Sequence, residues 1–126
     1  MIIGDGAWIG PYTLISTHDG SGMVPTLTIG KNCMIAHMCS IKTSTHEIDV
    51  DANASSVASR NVAYDIAIGE GSWICASVTI IPGVKVGKKC ICAAGAVVIR
   101  DVPDFTLVAG VPASVKHDLK TRRVSK

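Results

Sequence analysis

Six residues, Ser44 to Asp49 (STHEID), put an imidazole, two carboxylates and a hydroxyl pair behind a run that is otherwise small and apolar. An unperturbed imidazole titrates near pH 6.5 (about the neutral range), so His46 could take up and return a proton under ordinary conditions. It could instead ligate a metal with His37 as companion, or sit at a loop edge and hydrogen-bond the backbone. Glu47 and Asp49 could hold the imidazole, bind a substrate, or face solvent as loop acids. The five cysteines are an odd number without paired metal or redox spacings, which fits free thiols better than a disulfide framework. Cys75 could in principle be a nucleophile, but nothing beside it in sequence supplies a base.

The chain that must position these groups has 126 residues, enough for one domain with a sizeable core. Hydrophobic residues make up 48% and charged residues 17%, a lean surface that points to cover by other subunits. A net charge of +2 gives no case for nucleic acid or a membrane surface as partner. The most apolar stretches, such as Cys90 to Ile99, are too short for a bilayer span and carry glycine. Asp5, Gly4 and Gly6 interrupt what would be the apolar part of a signal peptide, so a cytoplasmic location is expected. Lys116, Lys120, Arg122, Arg123 and Lys126 face a single acid, Asp118, in a basic tail over 116–126 that reads as a solvated terminus.

Aliphatic residues recur with a period of six: Ile3, Ile9, Ile15, then Ile29, Ile35, Ile41, then Ile68, Ile74, Ile80, Val86, Cys92 and Val98. Neither a helix nor an ordinary amphipathic strand produces that spacing. One position later the residue is small in most units (Gly4, Gly10, Gly30, Ala36, Gly69, Gly87, Ala93). Four positions after the aliphatic it is again small or β-branched, and only Asp19 breaks the rule. Cys33, Cys39, Cys90 and Cys92 fall on such positions and read as core.

Each six-residue unit therefore predicts one side of a flat coil, its aliphatic pointing inward and a small residue turning the corner. Three units make a triangular rung, and stacked rungs pair their strands in parallel at roughly 4.8 Å. The predicted rungs are 3–20, 29–46, 68–85 and 86–103, interrupted by insertions 21–28 and 47–67 that leave from the same corner. Such insertions are where solenoids build binding faces. The longer one would be unstable as free coil and is expected to fold over a neighbour or a ligand.

The hexapeptide run, the THEID segment and then IGEGSWICASVTIIPGVKVGKKCICAAGAVVIRDVPDFTLVAGVPASV resemble the left-handed parallel β-helix acyltransferases. The nearest subgroup is the O-acetyltransferases of galactosides, maltose, nodulation oligosaccharides and colanic-acid sugars, over about Ile29 to Val115. Handedness is implied only by this resemblance, since the general preference for right-handed crossovers points the other way. The resemblance implies an all-β domain over 1–115 and an acetyl-CoA-dependent transfer to a sugar or similar hydroxyl, without a metal. His46 matches the family's general base, which takes the acceptor's proton as the hydroxyl attacks the thioester. Trp73 matches a tryptophan of the cofactor groove, and Cys75 and Ala76 match the backbone region that polarises the thioester carbonyl. Ala94 and Gly95 match the pantetheine path. Arg100 stands in place of a Thr-Lys pair near the phosphates, with Ile99 replacing the threonine, and Lys116 and His117 lie near positions contacting the adenosine phosphate.

Relatives that acetylate sugars carry an asparagine near the positions of His18 and Asp19, so either Asp19, the better candidate, or His18 orients the acceptor, or another acceptor is used; Glu47 and Asp49 are the further substrate-binding candidates. A homotrimer is implied, with His46 of one subunit meeting Trp73 of the next. Two rivals use the same coil. A zinc enzyme of the γ-carbonic-anhydrase type needs a third histidine, and neither His18 nor His117 stands at a suitable offset. A non-catalytic assembly subunit would let His46 and Trp73 be replaced without consequence beyond stability, and both rivals leave the VPASV ending unexplained.

Overall fold

The computed structural model describes residues 1–17 and 22–121, and among them no helix forms. His18 and Asp19 lie outside the described residues, as do Arg122 to Lys126. Three parallel sheets form the sides of a triangular coil. The first contains Ile2–Ile3, Leu27–Ile29, Ile66–Ile68 and Lys85–Val86. The second contains Trp8–Ile9, Met34–Ile35, Trp73–Ile74, Ile91–Cys92 and Thr106–Ala109. The third contains Leu14–Ser16, Ser40–Lys42, Thr79–Ile80 and Val97–Val98.

Strand pairing joins like positions of successive units, as the six-residue period demands. Ile3 pairs with Ile29 and Ile29 with Ile68, while Ile9, Ile35, Ile74, Cys92 and Val108 form one continuous inner column. The inner residues of the middle rungs are fully buried, each removing about 1.5–3 kcal/mol worth of apolar surface from water. The coil runs past residue 103, because Thr106–Ala109 adds to the second sheet and the antiparallel strand Ser114–Asp118 closes it. The division after residue 115 thus falls inside a strand, and Lys116 and His117 are part of the coil's closing edge rather than a frayed tail.

Glycine follows the aliphatic because the next rung comes too close for a side chain. A Cβ on Gly69 would lie 2.5 Å from backbone atoms of Gly87 and Lys88. Left-handed backbone falls two residues later, at Gly6, Asn32, Gly71 and Lys89 in one corner and Tyr12, Met38, Ser77 and Gly95 in the next. The small position before each strand carries hydrogen bonds between rungs. Cys33 Sγ donates to the Gly69 carbonyl (3.1 Å), Cys39 Sγ to that of Cys75 (3.1 Å), and Ser72 Oγ to that of Gly87 (2.8 Å). Those cysteines are core residues with a structural bond each.

Both insertions rejoin the coil earlier than the repeat suggested, and the longer one also leaves it earlier. Leu27 already pairs with Ile66, and the chain leaves the coil after Thr43, whose buried hydroxyl donates to Ser16. Ser44–Ile48 and Ala58–Ala63 then pair as an antiparallel hairpin. His46 therefore does not close the second rung, as the period implied, but sits on the hairpin. The physical reason is backbone pairing: a ladder of its own satisfies polar groups that 21 residues of free coil would leave to water.

Candidate active site

His46 is exposed near the base of the hairpin. Its Nδ1 lies 3.2 Å from the carbonyl oxygen of Ser59, an acceptor only, so in a neutral imidazole the proton sits on Nδ1 and Nε2 is left as the acceptor. The hairpin is anchored where it rejoins the coil, because Tyr64 N–H donates to Thr43 (2.8 Å) and the tyrosine packs at Gly83. Its two strands are also tied by charge. Arg60 Nε and Nη2 each donate to a separate oxygen of Glu47 at 2.8 Å. This pairing holds the Glu47 carboxyl below its usual range, through the hydrogen bond first and then the charge, and raises the guanidinium in return.

Glu47 is thus occupied by Arg60 and does not orient His46. Asp49 does not either: its Oδ1 accepts the Asp51 N–H (2.9 Å), which makes it a turn residue of the hairpin tip. The group that orients the imidazole is the Ser59 carbonyl, which sequence reasoning missed along with Arg60. Opposite charges at 47 and 60 within one insertion were the available sign of a hairpin.

The remaining residues gather elsewhere. Trp73 stands on the outer face of the second sheet, 47% exposed, in register with Met34, Trp8 and Ile91. A cavity of about 380 Å³ beside it is lined by Asn32, Met34, Gly71, Ser72 and Trp73. Pro11, His37, Ala76 and Ala94 stack along the corner that follows, as the bonds from Met38, Ser77 and Gly95 N–H to the first three show. Cys75 N–H is spent on the Cys92 carbonyl (2.9 Å), so it is not free to polarise a ligand. Ala76 N–H has no partner among the described residues, and Gly95 faces open space. Arg100 is exposed at the corner from which the hairpin leaves, and Lys116 and His117 lie on the closing strand.

Burial raises the Cys33, Cys39, Cys75 and Cys90 thiols, and pushes Cys92 up to about 12. A half-buried Cys75 with a raised thiol is a poor nucleophile. Among the described residues no three His, Cys, Asp or Glu side chains come together as metal ligands, and no helix is long and apolar enough to cross a membrane.

No protein-family model matches the chain. A Saccharomyces cerevisiae protein named only provisionally as an acetyltransferase is 41% identical over 97 residues, covering 77% of this chain and 46% of that protein. The galactoside O-acetyltransferase of Escherichia coli is 28% identical, covering 95% of this chain and 64% of the enzyme. A solved galactoside acetyltransferase in complex with coenzyme A superposes with a TM-score of 0.73 at 25% identity, over 94% of this chain and 64% of that one. The coil is a left-handed parallel β-helix. The chain belongs to the hexapeptide-repeat acetyltransferases. It spans about half the length of the curated relatives it matches.

Proposed function

We propose that the chain is the core of an acetyl-CoA-dependent O-acetyltransferase acting on a sugar or a similar hydroxylated small molecule. The observation that carries this is the His46 tautomer: Nδ1 is held by the Ser59 carbonyl, so Nε2 is a preset acceptor for a hydroxyl proton. In the reaction, Nε2 takes that proton as the hydroxyl oxygen bonds to the thioester carbon. The oxyanion that forms receives the Ala76 N–H, and the carbon–sulfur bond then breaks. Imidazolium returns its proton to the departing thiolate, which balances the step. Small side chains at Ala94 and Gly95 support a pantetheine path along that corner, with Trp73, Arg100, Lys116 and His117 flanking the donor.

Within one chain a full triangle side, roughly 15 Å of strand, separates the hairpin's corner from that of Ala76. Direct transfer therefore calls for a second copy, and a closed ring of three satisfies each site once. The solenoid's outward apolar residues, Trp8, Leu14 and Met34 among them, fit such cover.

The test is calorimetric titration with acetyl-CoA beside Arg100→Ala, then thiol release with hydroxyl acceptors for wild type and His46→Ala. Stoichiometric binding weakened by Arg100→Ala, with turnover reduced about 10²–10⁴-fold by His46→Ala, is the expected result. A protein that sediments as a trimer yet takes no acetyl-CoA would make it an assembly subunit. A stable monomer would break the shared-site arrangement.

A further inference from the structure

The two ends of the coil are finished differently. At the far end each side is closed. Val102 bridges Val86, the Val97 N–H donates to Gly110 and its carbonyl accepts from Ala113, and Ser114–Asp118 covers Thr106–Ala109 with Lys116 and Asp118 on it. At the near end nothing among the described residues lies beneath the first rung. Its inner residue Ile3 is 46% exposed, against 1% for Ile29 one rung on, and Ile9 and Ile15 are half-buried.

The first rung also turns backbone outward. A strand in a parallel ladder bonds a given neighbour through alternate residues, and the residues between them face the other way. The amides of Gly4, Trp8, Gly10 and Leu14 donate to Ile29, Cys33, Ile35 and Cys39, and the Ser16 carbonyl accepts from Thr43. Ile3, Ile9 and Ile15 therefore point N–H and C=O away from the coil, where no described residue meets them. Edges that stay open in a monomer are blunted by lysine, by other charges or by proline within the strand. Residues 2–17 carry one charged side chain, Asp5, and their one proline, Pro11, stands at a corner between strands.

Whatever covers this end must supply strand edges on three sides at once and accept a nearly uncharged face. Head-to-tail stacking fails, because the far end is closed. A second copy turned about a two-fold axis through Ile9 meets both demands. Ile9 then faces Ile9 of the second copy, and Ile3 faces Ile15, with the strands antiparallel. Residues opposed in that way exchange two N–H···O bonds. The contact is closed, so it leaves no edge on which further copies could add.

We infer that the first rung is an interface between two copies of this chain, joined head to head through Ile3, Ile9 and Ile15. The pairing does not depend on the transferase reading. Where the ring of three proposed above holds, its open ends lie on one side and two rings stack into six chains. In dilute protein the copies separate, and the first rung is as open as the structure shows.

The test is light scattering on the full chain over a wide concentration range, with hydrogen exchange on the same samples. The mass should rise to that of two or of six chains. Ile3→Lys, which sets like charges in an apolar contact, should raise the concentration needed for pairing about tenfold or more. Val50→Lys, the same change on the exposed hairpin, should leave it unchanged. The Ile9 amide should exchange slowly in the paired protein and fast in Ile3→Lys, while slow exchange at Ile74 in both reports an intact coil. A mass of one or three chains at every concentration would overturn the pairing, and a protected Ile9 amide at that mass would assign the cover to something other than a second copy. An even number of chains that Ile3→Lys does not disturb, with Ile74 protected, would also overturn it. Three chains would keep the shared site and remove this interface; two would keep the interface and break the ring of three.

Discussion

Ile74 and His46 are both strand residues, yet they belong to regions built on different principles. Ile74 has buried apolar neighbours above and below, Cys92 and Ile35, pairs in register on both edges and has no exposed surface. His46 sits in a two-stranded ribbon whose opposing residues, apart from Val62, are mostly exposed and polar. A repeating coil gains stability from sameness, and sameness leaves no room for a titratable group. On the function proposed above, the chemistry would sit on the excursion, where the Ser59 carbonyl holds the imidazole and an ion pair ties the two strands.

The widest gap between the two regions should appear in thiol labelling. Cys33, Cys39, Cys90 and Cys92 are buried and their thiols are raised, so little thiolate is exposed at pH 8. Iodoacetamide should modify them only through unfolding, on the order of a thousandfold more slowly than in denaturant. Half-buried Cys75 should react first and still below the rate of a free thiol. Mass spectrometry after timed quenching reads each site. Rapid labelling of Cys90 or Cys92 would mean that the coil opens locally and that its uniform column does not act as one unit.

A second contrast lies inside the coil. Ile9 and Ile74 occupy the same column and the same unit position, but Ile9 is half-buried in the first rung. Ile74→Ala should cost about 2–5 kcal/mol in chemical unfolding, as a large-to-small change in a closed core does. Ile9→Ala should cost less than half of that, since its surroundings already admit solvent. Equal costs would show that something covers the first rung in solution, and comparing the two at several protein concentrations would identify a second copy as that cover.

Legibility from sequence follows the same divide. The period of six, the inner column and the parallel stacking were readable because each depends on residue type at a fixed interval. The coil's continuation through Val108 and its closing strand were not, because DVPDF interrupts the spacing before Thr106. The hairpin was read as loop for a related reason. Ser44–Ile48 has the alternation of a strand, but its partner lies ten residues on, and pairing at that distance leaves no local period. His46 was singled out as the place where the repeat stops, whereas its orienter is a backbone carbonyl, which no residue type announces. The two backbone amides expected at the thioester divide likewise: Ala76 N–H has no partner among the described residues, while that of Cys75 is used by the ladder.

The smallest effect concerns what holds the hairpin itself. Glu47 is exposed and its carboxyl is held below the usual 4.5 by Arg60. A depressed carboxyl adds stability that is present above 4.5 and is lost as pH falls through the lower, folded value. Both partners are open to solvent, so the contribution is small and screened by salt. Hydrogen exchange, corrected for intrinsic rates, should show the Asp49 amide, bonded to Val57, losing protection on acidification below 4.5 while Ile74 keeps its own. Glu47→Gln should flatten that pH response, and added salt should reduce it in the wild type. A wild type that keeps its Asp49 protection through this range would assign the hairpin's closure to its backbone ladder alone. His46 would then be held by the same kind of bonds as the coil, and the contrast between the two regions would reduce to one of exposure.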